Sequence, residues 1–379
     1  MLGYLPLMRF PYAGVLILVP AVAAAQPSLA PIGETQLLGG SPLVLPLDGE
    51  GEGGLTYTVE TSDPLVTATL LEGNRSLRMR VANLGEMVFA LFDFAAPRAT
   101  DHIAELADSG FYDGVTFHRV IDDFVIQGGD PTGTGTGGSS LGTFDDQFHV
   151  DLQHNRTGLI SMAKSYDDTN DSQFFVTEGA SRNLDFNHTV FGILVEGESV
   201  REAISEVAVD ADDRPSTAVT IESARSFVDE ENAAVLLKAA EGATGAVDVT
   251  VVVRNERGQE ARRTFRVNVT PDTIDSAPFL ADIPELATRV DTPLTYQLRA
   301  IDVEDASVAR FLDQDALAAN SLPVPVQAHP NLRYGVDFNT GLLTITPTGG
   351  LTGQWWVSVA TGATPAAVDY QVVSVRIEP

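Results

Sequence analysis

The chain has no cysteine, which excludes disulfides, thiolate metal sites and cysteine nucleophiles and leaves its stability to core burial. Lysine is nearly missing as well: Lys164 and Lys238 are the only two, and neither lies in a glycine-rich loop suited to cradling phosphate. Positive charge in general is scarce, with 23 Lys and Arg against 52 Asp and Glu and a formal net charge of −29. Such a surface repels phosphate backbones and anionic headgroups, so nucleic acid is not an expected partner. Beyond the first 25 residues, no apolar run approaches the ~20 residues of a membrane-spanning helix.

What is present suffices for two or three domains, since 379 residues with 44% hydrophobic content supply real cores at roughly 100–200 residues each. Residues 1–25 read as an export signal: Arg9 is their only charge, Phe10 to Val22 is apolar, and Ala23-Ala24-Ala25 before Gln26 offers small residues for cleavage. Pro11 and Pro20 argue against a membrane anchor there. The expected location is periplasmic, extracellular or cell-surface, with no membrane span once the signal is removed.

From Pro42 to Val81, short β-branched runs alternate with turn residues such as Asp48-Gly49 and Gly73-Asn74, a strand-and-hairpin pattern. From Glu86 the pattern mixes. Pro97 to Ser109 places Ile103, Leu106 and Ala107 at helical spacing after Thr100-Asp101, read as a cap, and Glu198 to Val207 puts Val200, Ala203, Ile204 and Val207 on one face. After Val228 the chain reads as all-β again.

The β ends repeat. Val235-Leu236-Leu237, Gly242, Thr244-Gly245, Val249 and Val251 match Leu343-Thr344-Ile345, Gly350, Thr352-Gly353, Val357 and Val359 at a constant offset of 108, and Leu55-Thr56-Tyr57 is matched with Leu294-Thr295-Tyr296. The marks lie 58 residues apart in the second copy (294 to 352) and 189 apart in the first (55 to 244), an excess of 131. That excess is about one domain. The expected organisation is a signal (1–25), a β-module split into halves 26–75 and 228–271, a domain inserted between them (76–227), and a second β-module (276–379). The modules resemble the Ig-like or cadherin-like repeats of bacterial exported proteins.

The chemistry lies in the inserted segment. Phe117-His118-Arg119-Val120-Ile121, Phe124-Val125-Ile126-Gln127-Gly128-Gly129-Asp130-Pro131 and Gly135-Thr136-Gly137-Gly138 resemble the signature of cyclophilins, the peptidyl-prolyl cis-trans isomerases. The likeness extends through Gly85 to Phe92, Gly110 to Gly114, Ser161-Met162-Ala163, Asn170 to Phe175, Leu184-Asp185 and His188 to Gly192. It implies a closed eight-stranded antiparallel barrel with two capping helices. The whole chain is then mainly β, that barrel plus two Ig-like β-sandwich modules.

The residue types suit such a reaction. An X-Pro bond has nearly balanced isomers separated by a barrier of about 20 kcal/mol, and no bond is broken in crossing it. A groove that grips proline is needed, with a donor that favours the twisted amide over either planar form. A guanidinium donating to the prolyl nitrogen meets that need at any relevant pH. Carried over by position, the resemblance makes Arg119 this donor and Gln127, potentially across a hairpin, its orienting partner. Phe124, Val125, Phe175 and Leu184 wall the proline pocket, with His188 at its rim and His118, Gly135, Ala163 and Gln173 along the peptide groove. His118 is read mainly as a structural residue whose ring is hydrogen-bonded near the groove. No metal or cofactor is implied, and the partners are proline-containing polypeptides.

Three positions depart from the family. Asn183 stands where many members carry Trp, implying weak cyclosporin sensitivity; Val125 replaces a common Met; and Lys164 replaces a common Asn, which with Arg119 suggests a locally positive groove on an acidic protein. Other patterns carry less. Gly133 to Gly138 has dinucleotide glycine spacing without a βαβ unit, and Gly138-Ser139-Ser140-Leu141-Gly142 has nucleophile-elbow spacing without a preceding apolar strand. His149 and His154 lack a shared face for a metal. Asp302-Val303-Glu304-Asp305 and Asp48 to Glu52 are acidic enough for Ca²⁺, though solvated loops are the commoner meaning of such clusters. Asn155-Arg156-Thr157 matches a glycosylation sequon. The expected function is prolyl isomerisation in exported proteins, assisting their folding. The alternative is a non-catalytic proline-peptide-binding or adhesion protein whose β-modules carry its role.

Overall fold

A computed structural model describes residues 26–379 apart from 72, 74, 166, 305–309, 323 and 365–366; the expected signal at 1–25 lies outside the described residues. Among the described residues no helix is long and apolar enough to cross a membrane.

Eight antiparallel strands close a barrel in the order Val125–Asp130, Phe174–Thr177, Leu159–Met162, Val190–Glu196, Gly85–Leu91, Arg75–Val81, Val219–Val228 and Thr116–Ile121, which returns to the first. Alternate residues of these strands fill its interior, among them Met79, Phe89, Val120, Ile126, Ile160, Phe174, Val176 and Phe191. Helices Pro97–Asp108 and Glu198–Ser205 add Ile103, Leu106, Val200 and Ile204 to the same core. The first helix starts earlier than the sequence suggests. Its N-cap is Ala96 and Pro97 opens it, while Thr100 is buried inside it. Proline at the first helical position has φ already set and no N–H to satisfy, so it overrides the Thr100-Asp101 signal.

Most of the remaining strands form two sandwiches, and two short pairs, Ser28–Leu29 with Gly49–Glu50 and Phe279–Leu280 with Ala300–Ile301, stand apart from their main sheets. In the first, Thr35–Gly39, Glu260–Pro271, Gly245–Asn255 and Leu55–Thr61 make one sheet and Leu43–Leu47, Ala233–Lys238 and Thr67–Leu70 the other. Val235, Leu237, Leu45, Val249, Val251 and Val267 pack between the sheets. In the second, Leu286–Arg289, Ala367–Glu378, Gly353–Thr364 and Arg310–Asp313 face Leu294–Gln297, Leu342–Pro347 and Leu332–Val336. Each sandwich carries one parallel pair, Val267 with Thr35 and Val375 with Leu286, and Val267 and Val375 stand at the offset of 108 seen in the sequence.

Register corrects one sequence match. Leu294-Thr295-Tyr296 pairs with Leu343 to Ile345, and the segment in that role in the first sandwich is Leu43-Val44-Leu45, opposite Val235 to Leu237. Leu55-Thr56-Tyr57 instead pairs with Val253 to Asn255 in the other sheet. Alternating β-branched strands look alike in sequence, and only the partner strand tells which sheet they join. The pairing Val336 with Leu343 spans seven residues, whereas its counterpart Leu70 with Val235 spans 165, an excess of 158 into which every barrel strand falls.

The three-stranded sheet of the first sandwich is covered on both faces. Its outer residues Val44, Ala234 and Leu236 pack against Val88, Leu159, Ile193 and Val195 of the barrel. Polar contacts frame that seam: Arg156 Nη1 donates to the Val44 carbonyl (3.0 Å) and Lys238 pairs with Asp151 (2.5 Å). Asn155 Nδ2 donates to the Pro42 carbonyl (2.6 Å), so the sequon amide is engaged within the protein.

Candidate active site

The site lies on the outside of the barrel. Arg119 faces Gln127 across the hairpin, Gln127 faces Phe175, and Phe175 faces Ser161, so these residues occupy one row across four strands. Their chain neighbours Val120, Ile126, Val176 and Ile160 point into the core. Strand alternation therefore sends this row outward.

Beside the row is a small apolar cluster separate from the barrel core: Val125, Phe175 and Leu184 are buried, with Phe124 and Ala163 packed against them. Phe175 is fixed from below by the His154 ring, stacked at 5.9 Å, and from the side by His188, edge-on at 5.3 Å. His154 Nε2 meets Ser161 Oγ at 2.9 Å and its Nδ1 meets Asp185 at 3.3 Å. His154 is thus a buried support and not half of a metal pair with His149, whose Nδ1 accepts from the Asp151 N–H. His188 is held neutral at ordinary pH, because burial pushes it down to about 4, with Lys164 and His154 adding to the effect. Its Nδ1 is 2.9 Å from the Met162 carbonyl, which only accepts, so Nδ1 carries the proton. Asn183 is exposed immediately before Leu184.

Arg119 stands beside this pocket with 41% of its side chain exposed, and among the described residues its one ion pair is a loose 3.8 Å approach of Nε to Asp213. A surface pair of that kind is worth only about 0–1 kcal/mol, which leaves the guanidinium free for a ligand. Gln127 opposes Arg119 in the ladder but does not bond to it. Its Nε2 donates to Gln173 Oε1 (3.1 Å), and Gln173 Nε2 donates to the carbonyls of Gly135 (3.2 Å) and Gly137 (2.9 Å). Register alone does not choose between these partners, because Gln173 lies equally within reach. Gln127 therefore fixes the groove through Gln173 and not by holding Arg119.

His118 is buried, but the hydrogen bond expected of its ring is absent at both nitrogens. Burial pushes its pKa down, while Asp130 and the nearby Thr116 carbonyl pull weakly the other way. It lies against Gly135, whose φ of +86° favours glycine and where a Cβ would meet His118 Nε2 at an ordinary 3.7 Å.

The glycine-rich loop is occupied by the protein's own anion. The Asp130 carboxylate accepts the N–H groups of Thr132 (2.7 Å), Thr134 (3.0 Å), Gly135 (2.6 Å), Thr136 (3.0 Å) and Gly137 (3.1 Å). Burial raises its pKa, but these donors outweigh it and hold the carboxyl well below the usual carboxylate range. The donors a nucleotide phosphate would use are already satisfied. Ser139 likewise is spent on Asp171, through both its N–H (2.8 Å) and its hydroxyl (2.5 Å).

A cavity of about 290 Å³ continues the groove, lined by Gln127, Gly135 to Gly138, Ala163, Lys164, Ser165, Asp171 and Gln173 among others. Lys164 does not make it positive. Its side chain is 4% exposed and its ammonium is paired with Asp146 and Asp167, so the expected positive groove reduces to Arg119 alone. Burial lowers the Lys164 pKa, but the two carboxylates more than reverse this and keep it charged. Asp146, Asp167 and Asp168 converge closely enough for a cation, and the Lys164 ammonium supplies that cation. Asp302 and Glu304 converge with Asp275, where Glu304 accepts from Ser276 Oγ (2.9 Å) and faces Arg182 (3.7 Å); Asp305 lies outside the described residues.

Asp168 makes the cluster pH-sensitive. Burial first, then Asp167, Asp146 and Asp145, pushes its pKa up to about 8. A carboxyl with a raised folded pKa contributes stability that is complete below about 4 and is lost as pH climbs to about 8. Asp168→Asn keeps an oxygen for the Asp146 N–H (2.9 Å) and suits the backbone φ of +56°. Its thermal midpoint should equal the parent's at pH 4 and exceed it at pH 8, by roughly 2–4 °C for each kcal/mol recovered. Parallel melting curves at both pH values would contradict this assignment.

Comparisons with known proteins agree with the barrel. Residues 76–226 match the family described as cyclophilin type peptidyl-prolyl cis-trans isomerase/CLD. Peptidyl-prolyl cis-trans isomerase ppi1 of Schizosaccharomyces pombe is 48% identical over 135 residues, covering 35% of this chain and 87% of that protein. Peptidyl-prolyl cis-trans isomerase A of Mycobacterium tuberculosis is 44% identical over 181 residues, covering 43% and 94%. A crystal structure of a Cryptosporidium parvum cyclophilin type isomerase, obtained with the dipeptide Ala-Pro, shares 34% identity over 40% of this chain and 98% of its own, with a TM-score of 0.39. At 48% identity over 135 residues that span 87% of ppi1, this chain belongs to the cyclophilin-type peptidyl-prolyl cis-trans isomerases.

Proposed function

We propose that the isomerase acts on X-Pro bonds of unfolded or partly folded exported polypeptides and assists their folding. The proline ring enters the pocket of Val125, Phe175, Leu184, Phe124 and Ala163, against the His188 ring. Arg119 donates to the prolyl nitrogen, whose lone pair is released when the amide twists, and so lowers the barrier by binding the twisted form best. The observation that carries this reading is a half-exposed guanidinium, almost unpaired, on the same outward row as Phe175. His118 and Gly135, with Gln173 held to the loop, line the path of the peptide. The isomerase occupies 76–227 within an Ig-like or cadherin-like module formed by 26–75 and 228–271, followed by a second at 276–379. The split pairing of Val235 with Leu70 and Leu45 supports that division.

Two measurements test the reading. The intact chain should speed the slow, proline-limited refolding phase of a model protein at substoichiometric concentration; an unchanged slow phase would favour a binding-only role. A reporter fused behind residues 1–25 should leave the cytoplasm and begin at Gln26. Retention of the reporter would remove the export part alone.

A further inference from the structure

The pocket is gripped by the C-terminal sandwich at two places. On one side, Ala163, Lys164 and Ser165 line the groove, and Asp167 just beyond them has both carboxylate oxygens committed. One accepts from the Lys164 ammonium (2.5 Å), the other from the Tyr370 N–H (2.7 Å) of the C-terminal sandwich. On the other side, Leu184 and His188 bracket Phe186, whose ring stacks on Phe279 at 4.8 Å and 24°. Phe186 adopts φ +51°, a conformation an aromatic residue takes only where its surroundings impose it. Phe279 is 2% exposed and also meets Phe148 edge-on at 5.6 Å. The two grips form one unit, because Asp369, next to Tyr370, accepts the N–H of Leu280, next to Phe279, at 2.6 Å.

We propose that the C-terminal sandwich is a positioning element of the isomerase groove, Phe279 holding one wall through Phe186 and the Tyr370 N–H holding the other through Asp167. These are positioning residues: none touches the reacting amide. Without them the barrel keeps its own core, but Leu184 and Ala163 are no longer fixed at the separation a proline ring requires, and binding weakens more than turnover.

The inference rests on the groove assigned above, so the test carries a check on that assignment. In the intact chain, Phe279→Ala, Asp167→Ala and their combination are compared with the parent on a chromogenic tetrapeptide containing Ala-Pro. The combined variant should raise KM about 5–20-fold with kcat within about twofold, and each single variant should give part of the rise. Asp167→Asn, which retains an oxygen for Tyr370, should restore most of it in the single-site series. Val357→Ala weakens the core of the same sandwich away from the junction and should leave KM unchanged. A parental KM in the combined variant, or an equal rise in Val357→Ala, overturns the proposal. Should the combined variant not fold, Asp167→Ala against Asp167→Asn decides alone. If Arg119→Ala is as active as the parent, the groove assignment itself has failed; if Arg119→Ala is inactive and KM stays parental, only the positioning role has.

Discussion

Arg119→Ala lowers kcat/KM for an Ala-Pro peptide by about 10²–10³-fold, the usual cost of removing one preorganised donor to developing charge. At 1.36 kcal/mol per decade this corresponds to roughly 3–4 kcal/mol of lost transition-state stabilisation. The loss should fall mainly on kcat, because ground-state grip comes from the apolar pocket of Val125, Phe175 and Leu184, which the substitution leaves intact. Folding should be unaffected, since the Arg119 side chain is 41% exposed and its contact with Asp213 is loose. Arg119→Lys should recover only part of the rate: the charge remains, but the planar fork that reaches nitrogen and carbonyl together is gone. A tenfold rise in KM at unchanged kcat would instead make Arg119 a binding residue.

Lys164→Met should cost about 3–5 kcal/mol of stability near pH 8, the penalty of stripping a buried charge from its partners. Asp146 and Asp167 are left facing each other, with Asp168 adjoining them and Asp369 nearby, and no remaining ammonium among them. The sign with pH follows from the carboxyls. Burial already pushes Asp167 up to about 6 even though Lys164 draws it down, so removing Lys164 raises it further. The variant regains stability as pH falls and these groups protonate, and is weakest at alkaline pH. Chemical denaturation at pH 5 and pH 8 measures the difference. A uniform loss at both would mean that packing, not charge, explains the effect. Adding Asp146→Asn and Asp167→Asn should return much of the stability, since a neutral hydrogen-bonded cluster has no charge left unpaired.

The resemblance anticipated the barrel because it rests on residue types at fixed local spacing, and several residues it assigned to the pocket, Val125, Phe175 and Leu184 among them, lie together in one small cluster. Phe117 to Gly138 carries its residue types at fixed spacing, and the strand period alone sends Arg119, Gln127 and Phe175 outward together once their register is known. Quantities set by tertiary partners were not legible. Gln127 bonds to Gln173 and not to Arg119, a choice that strand register does not make, and Lys164 turns inward to Asp146 of a separate segment and to its near neighbour Asp167. Leu55-Thr56-Tyr57 and Leu43-Val44-Leu45 are equally good strands, so their assignment to one sheet or the other depends on pairing hundreds of residues away. Ser161 and Asp185 lie in segments that carry the family likeness, but their joint support of His154 beneath Phe175 depends on tertiary contacts. The spacing of five between His149 and His154 excluded a shared metal face but did not say that His154 is buried beneath Phe175.

The central claim is that Arg119 accelerates X-Pro isomerisation in a groove that binds proline without it. Exchange NMR on an Ala-Pro peptide isolates that step, because binding and cis–trans exchange are read from the same spectra. With catalytic amounts of the intact chain, cis and trans proline signals should exchange within a second, although the uncatalysed process takes tens to hundreds of seconds. With Arg119→Ala the peptide should still perturb the His188 ring, yet the exchange peaks should vanish. Equal exchange in both proteins would contradict the claim.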